Sequence, residues 1–293
     1  MSSTALRPTR WKGERAAALV MAVTMVGLPG PLTSMVAAAA GPEASPGADP
    51  TEQQAAPVGE PIPLTPVSGL TSLDATVDIT VDGTVNGKPT QGGLTARLTS
   101  NDQGMSQIDV TGSLLGDVVA QVGGSAVNLF RPKKVSVYSV PEGTYVVVGG
   151  FFDVCFKPED SQATEALQQL SPQSLMTMLT SSDVARGTFV ADEDLDGTAV
   201  KHYRISGESF LAAAQGSTEP TVAQFAQLLR SAADSDLFVA VDGGYPVAYQ
   251  GAFNGAFEPL KFDGDLGVDI RLTGIDENTP VTLPGACDHP VSA

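Results

Sequence analysis

Only two histidines, His202 and His289, occur in the 293 residues, so a hydrolase relaying protons through an imidazole would have to use one of them. His289 sits near the C-terminus between Asp288 and Pro290. His202 sits in AVKHYRIS, where period-two alternation sets Val200, His202 and Arg204 on one face and Lys201, Tyr203 and Ile205 on the other. No G-x-S-x-G elbow, H-E-x-x-H pair or G-x-x-x-x-G-K-[ST] loop accompanies them, so His202 reads as a surface or cross-strand residue and no catalytic residue is assigned. The run DEDLDG places Asp192, Asp194 and Asp196 at calcium-loop spacing, with Gly197 where such a loop turns. Its twelfth position is Tyr203 where that loop needs a bidentate Glu, and its flanks read as strands, so an acidic hairpin turn is expected and no metal site. Aspartates are numerous, but no pair is marked as a glycosidase couple, and the one tryptophan, Trp11, lies close to the N-terminus.

The two cysteines, Cys155 and Cys287, are too few for a zinc cage. Their meaning depends on compartment. Arg7, Arg10, Lys12 and Arg15 precede the apolar run Ala16 to Leu28, and Ala37-Ala38-Ala39-Ala40 precedes Gly41, which is the order of an export signal with a small-residue cleavage site. Pro29-Gly30-Pro31 interrupts the uncharged stretch, and the run before it is shorter than the ~20 residues a membrane-spanning helix needs. Residues 1–40 are therefore expected to be a cleaved signal peptide, with a retained anchor as the alternative. In an oxidising space the two cysteines are expected to pair, the alternative being two separately buried thiols. No cysteine follows the signal core to be lipidated.

Loss of residues 1–40 leaves twelve bases against thirty-two acids, a formal charge of −20. That surface repels nucleic-acid phosphates and anionic headgroups, so no nucleic-acid partner is expected. Residues 41–66 are rich in proline, alanine and acids and read as a disordered tether. Residues 67–293 are expected to fold as one β-rich domain.

Ala75, Val77, Ile79 and Val81 alternate with Asp and Thr in DATVDITVD, the pattern of a strand with one buried face. The same alternation recurs in LTARL, SQIDVTG, LFVAVD and DLGVDIRL, with turn signals at Asn86-Gly87, Asn101-Asp102-Gln103-Gly104, Arg131-Pro132 and Asp242-Gly243-Gly244. Helical spacing appears in Glu159 to Ser181, where Ser171 and Pro172 open a second helix carrying Leu175, Met176 and Leu179. It appears again in Thr221 to Ala233 with Val222, Phe225, Leu228 and Leu229, and Glu208 to Gln215 adds a short turn. Thr144 to Cys155, TYVVVGGFFDVC, is apolar on both faces, as for a central strand covered on both sides or one lining a cavity. The class is α+β, with helices on one face of a curved antiparallel sheet.

The stretches KKVSVYSVPEGTYVVVGGFFDVCF, LDGTAVKHYRIS, DSDLFVAVDGGYPVAY and DENTPVTLP resemble the LolA-like fold, in particular the LppX/LprG lipoprotein family. The chain departs from that family in lacking a lipidation cysteine and in carrying Phe238 where many relatives have Trp. The resemblance implies a curved half-barrel whose concave face, closed by helices, holds acyl chains. It implies a non-enzymatic extracytoplasmic carrier of lipids or other acylated amphiphiles, secreted or in the cell envelope, without cofactor. Such a carrier makes transient contact with a membrane or an envelope transport protein. Val146, Val148, Phe152, Leu175, Leu179, Phe225 and Leu229 are the expected lining. The second reading is a protein-interaction or sensor module on the same fold with a filled cavity, and a hydrolase is third.

Overall fold

The computed structural model describes residues 59–65, 70–116, 132–150, 152–158, 184–218, 220–257 and 261–292. The expected signal peptide, residues 41–58 and 66 of the expected tether, and the helices over Glu159 to Ser181 with Leu175, Met176 and Leu179 lie outside the described residues, whereas residues 59–65 of that tether are ordered on the fold, with Ile62 buried in its core.

Two antiparallel meanders make one sheet. The first comprises β2 (Leu73–Val85), β3 (Lys88–Ser100), β4 (Ser106–Gly112), β5 (Lys134–Val140), β6 (Gly143–Gly149) and β7 (Val154–Lys157). The second comprises β8 (Arg186–Leu195), β9 (Thr198–Ile205), β11 (Ser235–Ala240), β12 (Pro246–Phe257) and β13 (Phe262–Ile275). The meanders join where β13 pairs with β2 along almost their whole lengths. β1 (Glu60–Pro61) edges the sheet at β8, and β14 (Val291–Ser292) pairs in parallel with β7 at the other end, so the sheet is open. Helices α1 (Gly207–Gln215) and α2 (Pro220–Leu228), then β10 (Leu229–Ala232), are inserted between β9 and β11.

Register explains why one face is buried. A single cross-strand row runs Tyr203, Leu237, Tyr249, Ile270, Val77, Ala96, Val110, Val135, Val148. All belong to or pack on one apolar core. The next row, on the other face, runs Arg204, Asp236, Gln250, Asp269, Asp78, Thr95, Thr111, Lys134. A slip of one residue would exchange the two rows, so burial of the first fixes the pairing. Tight turns support it: Asn86 and Gly87 both have positive φ (53° and 72°), the conformation of a two-residue hairpin turn.

α1 and α2 pack on the apolar face. Phe210 lies 5.6 Å from Phe253, and Phe225 meets the same ring edge-on at 5.6 Å. Ala214, Val222 and Ala226 are buried between them and the sheet. Close approach needs a bare Cα at Gly255, where a Cβ would stand 2.3 Å from the Leu228 carbonyl oxygen.

Three expectations are corrected. The helix over Thr221 to Ala233 stops at Leu228; Leu229 to Ala232 turn into strand because they pair with β12, Leu229 opposite Gly255 and Ala232 opposite Phe253. Glu208 to Gln215 is a full helix, not a turn. Thr144 to Cys155 is a hairpin, not one strand: β6 ends at Gly149 and β7 returns with Val147 opposite Cys155. Both faces of β6 are covered. Val146 and Val148 enter the main core, while Tyr145 and Val147 join Tyr138, Cys155, Val281 and Cys287 in a second one. Cys155 and Cys287 are bonded, with Cα atoms 5.1 Å apart, and the bond holds the segment carrying Val281 against the otherwise polar face.

Candidate functional site: an apolar cavity under two helices

Between the helices and the second meander lies a cavity of about 50 Å³. Its sheet wall is Ile205 from β9, Leu237 from β11, Tyr249 and Phe253 from β12, and Val268 and Ile270 from β13. Its roof is Phe210 from α1, Val222 and Phe225 from α2, and Val184 just before β8. Alternation on the strands and helical spacing on α2 aim these carbon side chains at one another. A void of ~150 Å³ of this chemistry accepts benzene, so the present one is closed to anything larger than a small fragment.

Two hydroxyls are buried in this region, those of Tyr249 and Ser235. They are neighbours, yet neither reaches hydrogen-bond geometry with the other or with any described group. Burial pushes the Tyr249 hydroxyl up to about 12, with Ser235 beside it pulling the other way, so it stays a neutral O–H. The hydroxyl lies over Gly251, whose missing Cβ would stand 2.7 Å from it.

A larger groove of about 530 Å³ opens on the far side of Phe253. Val81, Leu266 and Phe253 give it apolar patches, and Asp82, Gln91, Asn254 and Asp265 give it a polar rim. Phe253 is a wall of both spaces.

The expected lining residues separate. Phe225 lines the cavity. Val146 and Val148 are buried in the same core but on β6, paired with Phe156 and Val154, and outside the lining. Leu229 is partly buried against the core on β10. Phe152 is 71% exposed and stands apart from the cavity, because the chain reverses before it instead of continuing β6 inward. Tyr249, Phe253, Val268 and Ile270 were not among the expected lining residues: Val268 and Ile270 lie on the strand read in DLGVDIRL, whereas the strand of Tyr249 and Phe253 was not read, although Tyr249-x-Gly251-x-Phe253 carries the alternation. A bulge between Phe238 and Val239, opposite Val247, interrupts that period and turns Val247 to the other face.

The histidine candidate lies on the polar face. His202 Nδ1 is 2.9 Å from Glu193 Oε1 and its Nε2 is 2.7 Å from Asp236 Oδ1, while its ring stacks on Phe238 at 4.5 Å. Arg204 donates to the same Asp236 oxygen at 3.0 Å. Burial opposes the charge on His202, but hydrogen bonds to Asp236 and Glu193 outweigh it and raise its pKa above the ordinary value. Asp236 is lowered: burial works against its charge, and His202 and Arg204 prevail. Both ring nitrogens are occupied by carboxylates, which makes the group a clasp across β8, β9 and β11. The acidic run ends β8 and turns at Asp196 and Gly197, with Asp196 at φ 54° and Gly197 N–H donating to Asp194 Oδ1 at 2.9 Å.

No protein-family model matches the chain. No curated protein matches it either. Among solved structures, 71% of the chain aligns with 87% of a domain named as an outer membrane lipoprotein-sorting protein from Vibrio parahaemolyticus, at 6% identity and a TM-score of 0.22. A DUF1329 family protein from Desulfovibrio piger aligns over 74% of this chain and 89% of its own, at 10% identity and a TM-score of 0.22. Likenesses this loose bear on neither fold nor function.

Proposed function

We propose that residues 67–293 form a LolA-like half-barrel that carries an acylated amphiphile outside the cytoplasm, without catalysis. The observation that carries the reading is the carbon-lined cavity beneath α1 and α2, separated from an open groove by Phe253 alone among the side chains lining both. Rotation of that ring and outward movement of the helices would join the two spaces. Each methylene then transferred from water contributes about 0.8 kcal/mol, so the lining needs no polar signature to hold a chain. The cavity as it stands is the helices' closed position, and the ligand is taken up by opening it. Export places the carrier in the envelope or outside the cell, where it meets a membrane or a transport protein to exchange its ligand.

Saturable binding of N-phenyl-1-naphthylamine, a neutral apolar fluorophore, tests this. One site per chain is expected, with uptake reduced by Val268→Phe, which fills the void; overpacking of this kind costs about 1–3 kcal/mol and leaves a folded domain. Absence of a saturable site in the folded wild type would remove the reading. A second reading, an interaction or sensor module, is favoured by one observation: Phe225 and Phe253 already meet edge-on and leave only about 50 Å³ beside them.

A further inference from the structure

Beside the apolar cavity, shut off from its space in the closed position, lies one chemical feature that a pure hydrocarbon site does not need. Tyr249 is 4% exposed, lines the void, and has no hydrogen-bond partner for its hydroxyl among the described residues; Ser235, 2% exposed, is beside it in the same condition. A buried unpaired hydroxyl is a cost, and one on a core tyrosine is readily avoided by phenylalanine. Tyr249 lies opposite Ile270 and Leu237, in a row where phenylalanine would suit the packing equally. The backbone also makes room for it, since any side chain at residue 251 would collide with the oxygen.

We propose that the Tyr249 and Ser235 hydroxyls are the polar anchor of the ligand site, donating to a neutral acceptor such as the carbonyl of an ester in an otherwise apolar molecule. The inference rests on the carrier reading above and adds the ligand's polar chemistry to it. A neutral acceptor fits because none of the residues lining the void is cationic, and an anion taken into it would lose its hydration without a counter-charge. Tyrosine held as O–H offers a donor, and serine offers a second. The acceptor sits at the anchor and the chain runs past Phe253 toward the groove.

The test uses the exported chain with N-phenyl-1-naphthylamine as reporter and two competitors of equal chain length, methyl octanoate and octanoate, at pH 7.5. Methyl octanoate is expected to displace the reporter at a concentration about ten-fold lower than octanoate. Tyr249→Phe is expected to weaken the ester about ten-fold, the scale of one neutral hydrogen bond, measured relative to the reporter affinity of the same variant. Ser235→Ala should act in the same direction. Loss of an unpaired hydroxyl leaves the thermal midpoint of Tyr249→Phe equal or higher, so its folding is checked in the same samples. Equal ester affinity in wild type and both variants, as for hydroxyls that only hold an internal water, overturns the anchor. So does preference for octanoate, or failure of both competitors against a bound reporter; in each case the carrier reading stands. If the reporter itself finds no saturable site, the carrier reading fails and the anchor with it.

Discussion

His202 shows how a residue type that suggests chemistry can serve architecture. Its imidazole is held between Glu193 and Asp236 and stacked on Phe238, so protonation strengthens a clasp across three strands. Because its pKa is raised in the folded state, the stabilisation is fully present below the unfolded value of about 6.5 and is lost as pH rises through the folded one. Asp236 has the opposite sign: lowered on folding, it contributes above about 3.8 and loses that contribution as pH falls through its folded pKa. His202→Gln is therefore expected to lower the thermal midpoint more at pH 5.5 than at pH 9, with a difference of order 1 kcal/mol at the lower pH. Glu193 is partly exposed, which screens its share. Equal loss at both pH values would show that stacking, not charge, is what His202 supplies. Sequence alternation had already put His202 and Arg204 on one face; Asp236 as the carboxylate they share was hidden because it lies 34 residues along the chain from His202.

Elements were legible where one period held throughout. The β2 pattern at Ala75, Val77 and Ile79 named its buried face correctly, and Asn86-Gly87 named its turn. Reading failed where a partner strand overrode local preference. Arg230, Ser231 and Ala232 have ordinary helix propensity, yet Leu229, Ser231 and Ala232 pair with β12, which ends α2 at Leu228. The cavity was illegible for a different reason: periodicity tells which face is buried, not whether the burial is complete. Phe225 was found by its helical spacing, whereas Tyr249 and Phe253 required the register of β12 against β11 and β13. The Cys155–Cys287 bond, expected from compartment and number, fastens the C-terminal segment over β5 to β7 across a separation of 132 residues. Replacing both cysteines with serine is expected to lower unfolding stability in denaturant by roughly 2–5 kcal/mol, since the open chain regains that loop's freedom. A double variant as stable as the native protein would mean that Val281 and the tail packing hold the segment without the bond.

At the scale of the molecule, two meanders share one apolar face, and only the second carries the helices described here. In the first meander β5 to β7 are packed on both sides, by the main core and by the disulfide-held tail, and so are built to stay as they are. The second has a void beneath α1 and α2, and beyond Phe253 a groove opens at its junction with β2 and β3, which makes this the side able to open. The carrier account turns on that asymmetry: a sheet braced at β5 to β7 supports a half whose helices move aside for an acyl chain. The most direct measurement is native mass spectrometry of the chain purified from its native host, followed by organic extraction of the same sample. The account predicts a polypeptide beginning near Gly41 with an added mass that leaves on denaturation and reappears in the extract as an acylated molecule. A polypeptide of bare mass, with an extract empty of lipid, would contradict it.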